Sequence, residues 1–263
     1  MLQSQANPVE AAAHNARIVD QFNRQAATFA ERHAQSDPLR LLVRVSGVTA
    51  ADTVLDLGCG PGLVSCAFAA VASHVTGFDL APAMLEQARA RQLSLGLDNL
   101  SWQCGDVNRL PFLDASFSAV VTRYTFHHFL SPATVLAEMK RVCRPGGRIV
   151  VADVTPEAAK LAAYDHFETL RDPSHAHALS RESLLALFEQ AGLSLVQVAD
   201  YGLEMKLDDL MSGSFPDPAS VEPIWQLARQ DLGRDTIGLG IEQREGRFWM
   251  NFPTTIVAAT RAA

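Results

Sequence analysis

The sequence predicts an α/β fold in which helices cover both faces of a mostly parallel sheet. The first observation is that short apolar, β-branched segments alternate with longer helical segments from about residue 53 onward. The second is a cluster of glycines directly after the first of these segments. Strands separated by helices form right-handed βαβ units, which build parallel sheets. Seven strands are predicted, at 53–57, 75–79, 100–104, 117–122, 148–153, 193–199 and 246–259.

Helical periodicity predicts that the segments between and around these strands are helices. Between the strands we expect helices at 62–72, 83–95 and 132–142, and a turn at 144–147 after the last of them. Two more helices are expected ahead of the first strand, at 9–33 and 38–47. After residue 153 the pattern is less regular. The predicted pieces there are a helix at 155–171, a polar loop at 172–180, a helix at 181–191 and a helical, turn-rich segment at 204–235.

The composition is that of a globular protein, with 48% hydrophobic and 19% charged residues and a net charge of -7. An acidic chain argues against a nucleic-acid substrate, because phosphate binding requires clustered Lys and Arg. The four cysteines form no CxxC pair, so no zinc site is expected. No secretory signal and no apolar stretch of about 20 residues is present, so the prediction is a cytoplasmic protein without a membrane partner.

The most informative segment is the glycine cluster that follows the first strand. Gly58, Gly60 and Gly62 stand at alternate positions, where glycine allows a positive φ and a close approach of the backbone to a ligand. The spacing does not fit the dinucleotide-binding fingerprint, whose third glycine is replaced here by Leu63 or Ser65, depending on the frame. Asp56, two residues before Gly58, favours a ligand with an ammonium group over an anion.

Two further acids stand at the ends of the next two predicted strands. Asp79 ends the second strand, where a carboxylate can accept both hydroxyls of a ribose. Asp106 follows the third strand, where it can accept a hydrogen bond from an adenine amino group. Because ligands bind at the carboxyl ends of parallel strands, these groups predict a site for an adenosine that carries an ammonium-bearing tail.

Four motifs together resemble class I S-adenosylmethionine-dependent methyltransferases. They are DLGCGPG (56–62), FDLAPAML (78–85), GDVNRLPF (105–112) and RVCRPGGRIVVAD (141–153). Two more segments, QFNRQAATFAERH (21–33) and LRDPSH (170–175), resemble the ubiquinone/menaquinone-biosynthesis-like branch of small bacterial methyltransferases.

The resemblance implies a Rossmann-like seven-stranded sheet with N-terminal helices and a helical lid insertion. It also implies one methyltransferase domain over 1–263, with a helical cap at 9–47, a cofactor-binding core at 50–155 and a lid, substrate region and closing strands at 156–263.

The resemblance also implies a role for each cofactor-site residue. The glycines border the methionine part of S-adenosylmethionine, Asp79 binds the ribose, Leu80 and Met84 enclose the adenine, and Asp106 meets its amino group. Relatives often carry Tyr where this chain has Phe29. The full set of cofactor-binding candidates is Phe29, Asp56, Gly58, Gly60, Gly62, Asp79, Leu80, Met84, Asp106, Val107 and Arg123.

Histidines supply the candidates for catalysis, because the side chain titrates near neutral pH. His127 and His128 follow the fourth strand, and His175 lies in the polar loop. The alternative for each is a structural histidine packed in the interior. Tyr124 and Arg171 are the candidate substrate-binding residues. The histidines as a set have no metal-ligand spacing, so no metal is predicted.

The predicted function is methyl transfer to a small-molecule acceptor, on O, N or C, with a ring-bearing metabolite favoured. The alternative is a module that binds S-adenosylmethionine without turnover and serves as a regulator or partner subunit. A nicotinamide oxidoreductase is disfavoured by the missing third glycine. The sequence 204–250 contains Trp225, Phe248, Trp249 and Met250, which suit an apolar substrate pocket, ordinary core packing or a homodimer contact.

Overall fold

The computed structural model describes residues 7–30 and 37–262, with side chains described over 7–28 and 37–262. The α-helices are α1 Pro8–Ala30, α2 Asp37–Ser46, α3 Leu63–Ala69, α4 Pro82–Ser94, α5 Pro132–Val142, α6 Leu161–Arg171, α7 Arg181–Gln190, α8 Leu207–Ser214 and α9 Pro218–Asp231. Short 3-10 turns lie at Phe126–His128 and Ala158–Lys160. The strands are β1 Thr53–Leu57, β2 His74–Asp79, β3 Leu100–Cys104, β4 Phe117–Arg123, β5 Cys143–Val154, β6 Leu193–Lys206, β7 Glu242–Arg244 and β8 Arg247–Arg261.

One sheet organises the molecule, with strand order β3-β2-β1-β4-β5-β8-β6 and β7 paired to β8. The strands from β3 to β5 are parallel, and β8 is antiparallel to both β5 and β6. The predicted α/β class with a mostly parallel sheet is therefore confirmed. The described residues form eight strands rather than the predicted seven. The additional strand, β7, has three exposed residues, so it carries no apolar pattern by which the sequence predicts it.

Other differences from the predicted boundaries arise from long-range pairing. β6 continues to Lys206 instead of ending at residue 199, because its second half pairs with β8. The predicted turn at 144–147 lies within the bounds of β5, next to a register shift between Phe117 and Ala119 of the neighbouring strand. The segment 204–235 therefore contains the end of a strand followed by α8 and α9.

Apolar side chains pack on both faces of the sheet, as the doubly covered fold requires. One face packs against α5 and α7 through residues such as Leu136, Met139 and Phe188. The other packs against α2 and α3 through residues such as Leu42 and Phe68. A third apolar cluster joins α6, α8 and α9 to the extended ends of β6 and β8, and it forms the part of the molecule predicted as a lid. In the described part of the chain, no helix is long and apolar enough to cross a bilayer.

Candidate active site

A cavity of about 430 Å³ lies at the carboxyl ends of the parallel strands. Its floor is the glycine loop after β1 together with the residues that follow β2, β3 and β4. Helix α1 covers it, and the start of α5 closes one side. The lining from α1 comes from Ala11, His14, Asn15, Ile18 and Phe22. The topology explains this position, because open α/β sheets bind ligands where the strands end.

All three glycines of the loop have a positive φ, but the space around them for a side chain differs. A Cβ on Gly58 would lie 2.4 Å from a methyl carbon of Thr125, and one on Gly62 would lie 2.8 Å from the ring of Trp102. Packing therefore excludes a side chain at both positions. A Cβ on Gly60 would meet only the sulfur of Met84, at 4.0 Å. At Gly60 the loop lines the cavity without a packed neighbour over its backbone. Gly62 is not part of the cavity wall.

Asp79 fixes the glycine loop as well as lining the cavity. Its Oδ2 accepts the N–H of Gly60 at 2.8 Å, and its Oδ1 accepts the N–H of Ala81 at 2.8 Å. The side chain therefore joins the loop after β1 to the start of α4. Burial raises the pKa of this carboxyl, and the backbone N–H donors act against that shift. Each oxygen retains a further lone pair, so the carboxylate can still accept ligand hydroxyls.

Asp106 connects the cavity to its helical cover. Its Oδ1 accepts from the backbone N–H and the side-chain amide of Asn108, at 2.9 and 2.8 Å. Its Oδ2 accepts from the amide of Asn15 in α1 at 2.8 Å. A further bond runs from His14 Nε2 to the carbonyl of His128 at 2.7 Å. The predicted adenine-contacting residues Leu80, Met84 and Val107 line the same end of the cavity.

Asp56 does not line the cavity, although it directly precedes the glycine loop. It is 1% exposed and lies between β1 and α3, where its Oδ2 accepts from the hydroxyl of Ser65 at 2.5 Å. Burial raises the pKa of this carboxyl to about 7. The alternation of side chains along β1 turns Asp56 toward α3 rather than toward the strand ends. The structure therefore does not bring it to the predicted contact with an ammonium group.

The end of β4 contributes Arg123 and Tyr124 to the cavity wall. The guanidinium carbon of Arg123 lies 4.5 Å from the centre of the Tyr124 ring. The Tyr124 hydroxyl lies 2.9 Å from the hydroxyl of Tyr201 and 3.3 Å from that of Thr254. Tyr124 has a φ of 55°, a left-handed conformation that is uncommon for a bulky residue.

His128 is the only one of the three candidate catalytic histidines that lines the cavity. Its Nδ1 donates to the carbonyl of Ser174 at 2.9 Å, since a carbonyl oxygen can only accept. Nε2 therefore carries the lone pair, and it makes no hydrogen bond to the residues that the structure describes. Burial, followed by the neighbouring His127, lowers the pKa of His128 to about 3. The imidazole is therefore neutral across the physiological range.

The other two histidines are buried away from the cavity, each beside a carboxylate. His127 Nδ1 lies 2.7 Å from Asp153, and although burial opposes the charge, this carboxylate raises the pKa of the imidazole. His175 Nε2 lies 2.7 Å from Asp165. Neither is in contact with the cavity, so the structure does not bring them to the predicted site. Both occupy the junction between the sheet and α6.

Arg171 is also remote from the cavity. It is buried at the inner face of α6, where it forms an ion pair with Glu168 and donates to the hydroxyl of Ser214 at 2.9 Å. Its charge is therefore neutralised by the protein itself, and the structure does not bring it to the cavity where the substrate was predicted to bind. Phe29 lies in α1, but its side chain is outside the described residues. No group of three His, Cys, Asp or Glu able to hold a metal occurs within 7–28 and 37–262.

Five of the cavity residues that the sequence analysis missed come from α1. The residues at 11, 14, 15, 18 and 22 follow the helical spacing i, i+3, i+4, i+7 and i+11, so they share one face. That face combines polar and apolar residues, and this mixed pattern was the sequence signal that could have indicated a ligand-facing helix. Ser131 and Thr134, at the start of α5, were also missed.

Comparisons with known proteins agree with this geometry. Residues 55–151 match a family described as a methyltransferase domain. Over 214 residues the chain is 29% identical to the methyltransferase YcgJ of Bacillus subtilis (strain 168), covering 80% of this chain and 85% of that protein. The crystal structure of YcgJ matches with a TM-score of 0.78, at 24% identity, over 86% of this chain and 98% of that chain.

Two further relatives match shorter shares. Methyltransferase GfsG of Streptomyces halstedii is 36% identical over 197 residues, which is 72% of this chain and 66% of that protein. The ubiquinone/menaquinone biosynthesis C-methyltransferase UbiE of Desulfotalea psychrophila is 39% identical over 124 residues, so this chain spans 49% of its length. The chain belongs to the class I S-adenosylmethionine-dependent methyltransferases. The predicted family and enzyme class are confirmed, and the family implies S-adenosylmethionine as the methyl donor.

Proposed function

We propose that this enzyme methylates a small, ring-bearing molecule bound between α1 and the start of α5. The observation that carries the proposal is that one cavity has two chemically different ends. One end has the acids and apolar side chains that suit an adenosine. The other presents a neutral histidine nitrogen among apolar and hydroxyl side chains. In this proposal the cap (9–47), the core (50–155) and the lid region (156–263) form one methyltransferase domain.

The first end is the proposed cofactor site. Leu80, Met84 and Val107 provide apolar contact for an adenine, and Asp106 accepts from its amino group. Asp79 accepts from the ribose hydroxyls. The methionine portion then follows the glycine loop, where Gly60 leaves the backbone uncovered. S-adenosylmethionine supplies an activated methyl group on a sulfonium, which is transferred by in-line displacement.

The second end is the proposed acceptor site. Ile18, Phe22 and Phe129 present apolar surface, whereas Ser131 and Thr134 present hydroxyls. A cavity that is apolar with a few polar groups favours a small organic molecule and orients it through those groups. A macromolecular acceptor fits less well, because α1 covers this end. The described part of the wall contains no cluster of cations for a nucleic acid.

His128 is the proposed contact to the reacting group of the acceptor. With Nδ1 bound to Ser174, Nε2 accepts a hydrogen bond from a hydroxyl or amine and so directs its lone pair toward the methyl group. A pKa of about 3 makes this nitrogen a weak base. We therefore assign His128 to orientation of the acceptor and not to storage of its proton. As the acceptor forms its bond to the methyl carbon, the bond from that carbon to the sulfonium sulfur breaks, and the methylated acceptor then releases its proton to solvent. The main task of the protein in methyl transfer is to hold the acceptor in line with the methyl group, and His128 contributes to that positioning.

The test combines cofactor binding with product formation. S-adenosylhomocysteine and NAD are titrated into the protein by calorimetry, and the protein is then incubated with methyl-labelled S-adenosylmethionine and fractionated small metabolites. We expect micromolar binding of S-adenosylhomocysteine, no heat from NAD, and label in a low-mass product. His128→Gln should retain cofactor binding and lose most of the product. Label found only in protein or nucleic acid would overturn the proposal of a small acceptor.

A further inference from the structure

We propose that Arg123 binds the α-carboxylate of the cofactor's methionine portion, and that Tyr124 and Tyr201 hold its guanidinium in position. The proposal rests on the cofactor orientation proposed above and extends it to the carboxylate end of the cofactor. It assigns Tyr124 after β4, Tyr201 within β6 and Thr254 within β8 to recognition of the cofactor rather than of the acceptor.

The order of the strands leads to Arg123. The proposed adenine contact follows β3, the proposed ribose contact ends β2, and the glycine loop follows β1. These strands are neighbours in the sheet, in the order β3-β2-β1-β4. A cofactor that extends across the strand ends in this direction next reaches β4, which ends at Arg123. The α-carboxylate is the end of the molecule farthest from the adenine, so it arrives at this strand.

The guanidinium of Arg123 lacks, among the described residues, the counter-charge that a buried cation requires. Its Nε is buried without a hydrogen-bond partner in the same part of the chain. Burial acts to lower the pKa of this guanidinium, but the phenols of Tyr124 and Tyr201 outweigh it and raise the pKa, with no carboxylate among the causes. Asp56 lies on the same face of the sheet, but its pKa of about 7 leaves it only partly ionised near neutrality. An incoming carboxylate supplies the missing charge.

The aromatic groups fix the direction of the guanidinium. Tyr124 lies against its face at 4.5 Å, and the Tyr124 hydroxyl is held by Tyr201 of β6 and Thr254 of β8. A ring anchored at its hydroxyl keeps the planar guanidinium in one orientation at the cavity wall, which Arg123 lines. The paired N–H groups of a guanidinium match the two oxygens of a carboxylate, which a lysine ammonium does not.

The experiment compares two ligands that differ only in the α-carboxylate. S-adenosylhomocysteine and its decarboxylated analogue are titrated by calorimetry into the wild type, Arg123→Met and Arg123→Lys. The wild type should bind the decarboxylated analogue about thirtyfold more weakly or worse, which is the scale for losing one partner of a buried charge pair. Arg123→Met should bind both ligands with the same low affinity. If it does not fold, Arg123→Lys should weaken only the binding of S-adenosylhomocysteine.

A matched control and a positioning variant complete the design. Arg229→Met removes an exposed arginine of α9 and should leave both affinities unchanged. Tyr201→Phe removes the hydroxyl that anchors Tyr124 and should weaken S-adenosylhomocysteine alone. Equal weakening of both ligands overturns the positioning role of Tyr201. Equal wild-type affinities, or discrimination that persists in Arg123→Met, overturn the role of Arg123 and assign its charge to an anionic acceptor instead. Absence of any S-adenosylhomocysteine binding contradicts the proposed cofactor site itself.

Discussion

Substitution of Gly60 by alanine tests how closely the cofactor approaches the backbone of the glycine loop. The new methyl group would point into the cavity, with only Met84 Sδ near it at 4.0 Å, so the folded protein has room for it. Its φ of 51° is the left-handed conformation, which costs an alanine about 1–2 kcal/mol. The less flexible unfolded chain offsets about 0.4–1 kcal/mol of this cost. The net loss of stability is therefore about 1 kcal/mol.

Gly96→Ala is the matched control. Gly96 follows α4 with a φ of 64°, is exposed, and has no atom within 4 Å of the position that a Cβ would take. It therefore has the same backbone cost and is outside the cavity. Both variants should melt about 2–4 °C below the wild type, by the usual conversion for a chain of this size.

Binding should separate the two variants. Crowding a well-packed contact costs about 1–3 kcal/mol, and each 1.4 kcal/mol is about tenfold in Kd. Gly60→Ala should therefore bind S-adenosylhomocysteine about 5- to 150-fold more weakly, whereas Gly96→Ala should remain within about twofold of the wild type. Calorimetry at one temperature, with melting curves for both variants, measures the comparison. Unchanged binding by a folded Gly60→Ala protein would refute the close approach.

Three other predictions follow from buried contacts. Burial holds the pKa of His128 at about 3, so between about pH 6.5 and pH 3 only the unfolded chain binds a proton at this residue. The wild type should therefore lose about 2 kcal/mol of unfolding free energy from this group between pH 7 and pH 5. Denaturant titrations of His128→Gln over the same pH range should lack this loss. An equal loss in both proteins contradicts the lowered pKa. Arg171→Met leaves the buried Glu168 unpaired and should reduce the free energy of unfolding by about 3–5 kcal/mol. The cofactor affinity of the folded fraction should be unchanged. Normal stability with poor acceptor binding would instead support the predicted substrate-binding role of Arg171. Asn15→Ala removes the donor to Asp106 and should speed amide exchange in α1 about tenfold, as expected for a hydrogen bond to a charged group, but leave exchange in β4 unchanged.

The core of the fold was predictable because short strand-like segments alternate with helical segments and end at recognisable turns. Thr53–Leu57 and Leu100–Cys104 have the bounds that the sequence predicts. The glycine loop was also predictable, since glycines at alternate positions directly after a strand are typical of a turn that a ligand approaches closely. In contrast, β7 and the second half of β6 depend on pairing with β8, and local periodicity contains no information about such a partner.

Candidate site residues were harder to predict because residue type does not reveal which way a side chain points. His127, His128 and His175 have the same chemistry, but only His128 has a ring nitrogen free at the cavity wall. Arg171 and Arg123 are both arginines near the strand ends, and a nearby acid neutralises the first but not the second. For His128 the difference depends on a partner distant in sequence, Ser174. For Arg171 it depends on the orientation of α6, which also carries its partner Glu168.

The position of β8 has a consequence for synthesis of the chain. β8 lies between β5 and β6, yet it is synthesised about 40 residues after β6 ends. A nascent chain that has reached residue 246 therefore has a sheet that stops at β5, and both that edge and the whole of β6 lack their partner. Unpaired edges are sites of aggregation during translation. Insertion of β8 closes both gaps at once, so protection of the sheet on the ribosome depends on a single late event.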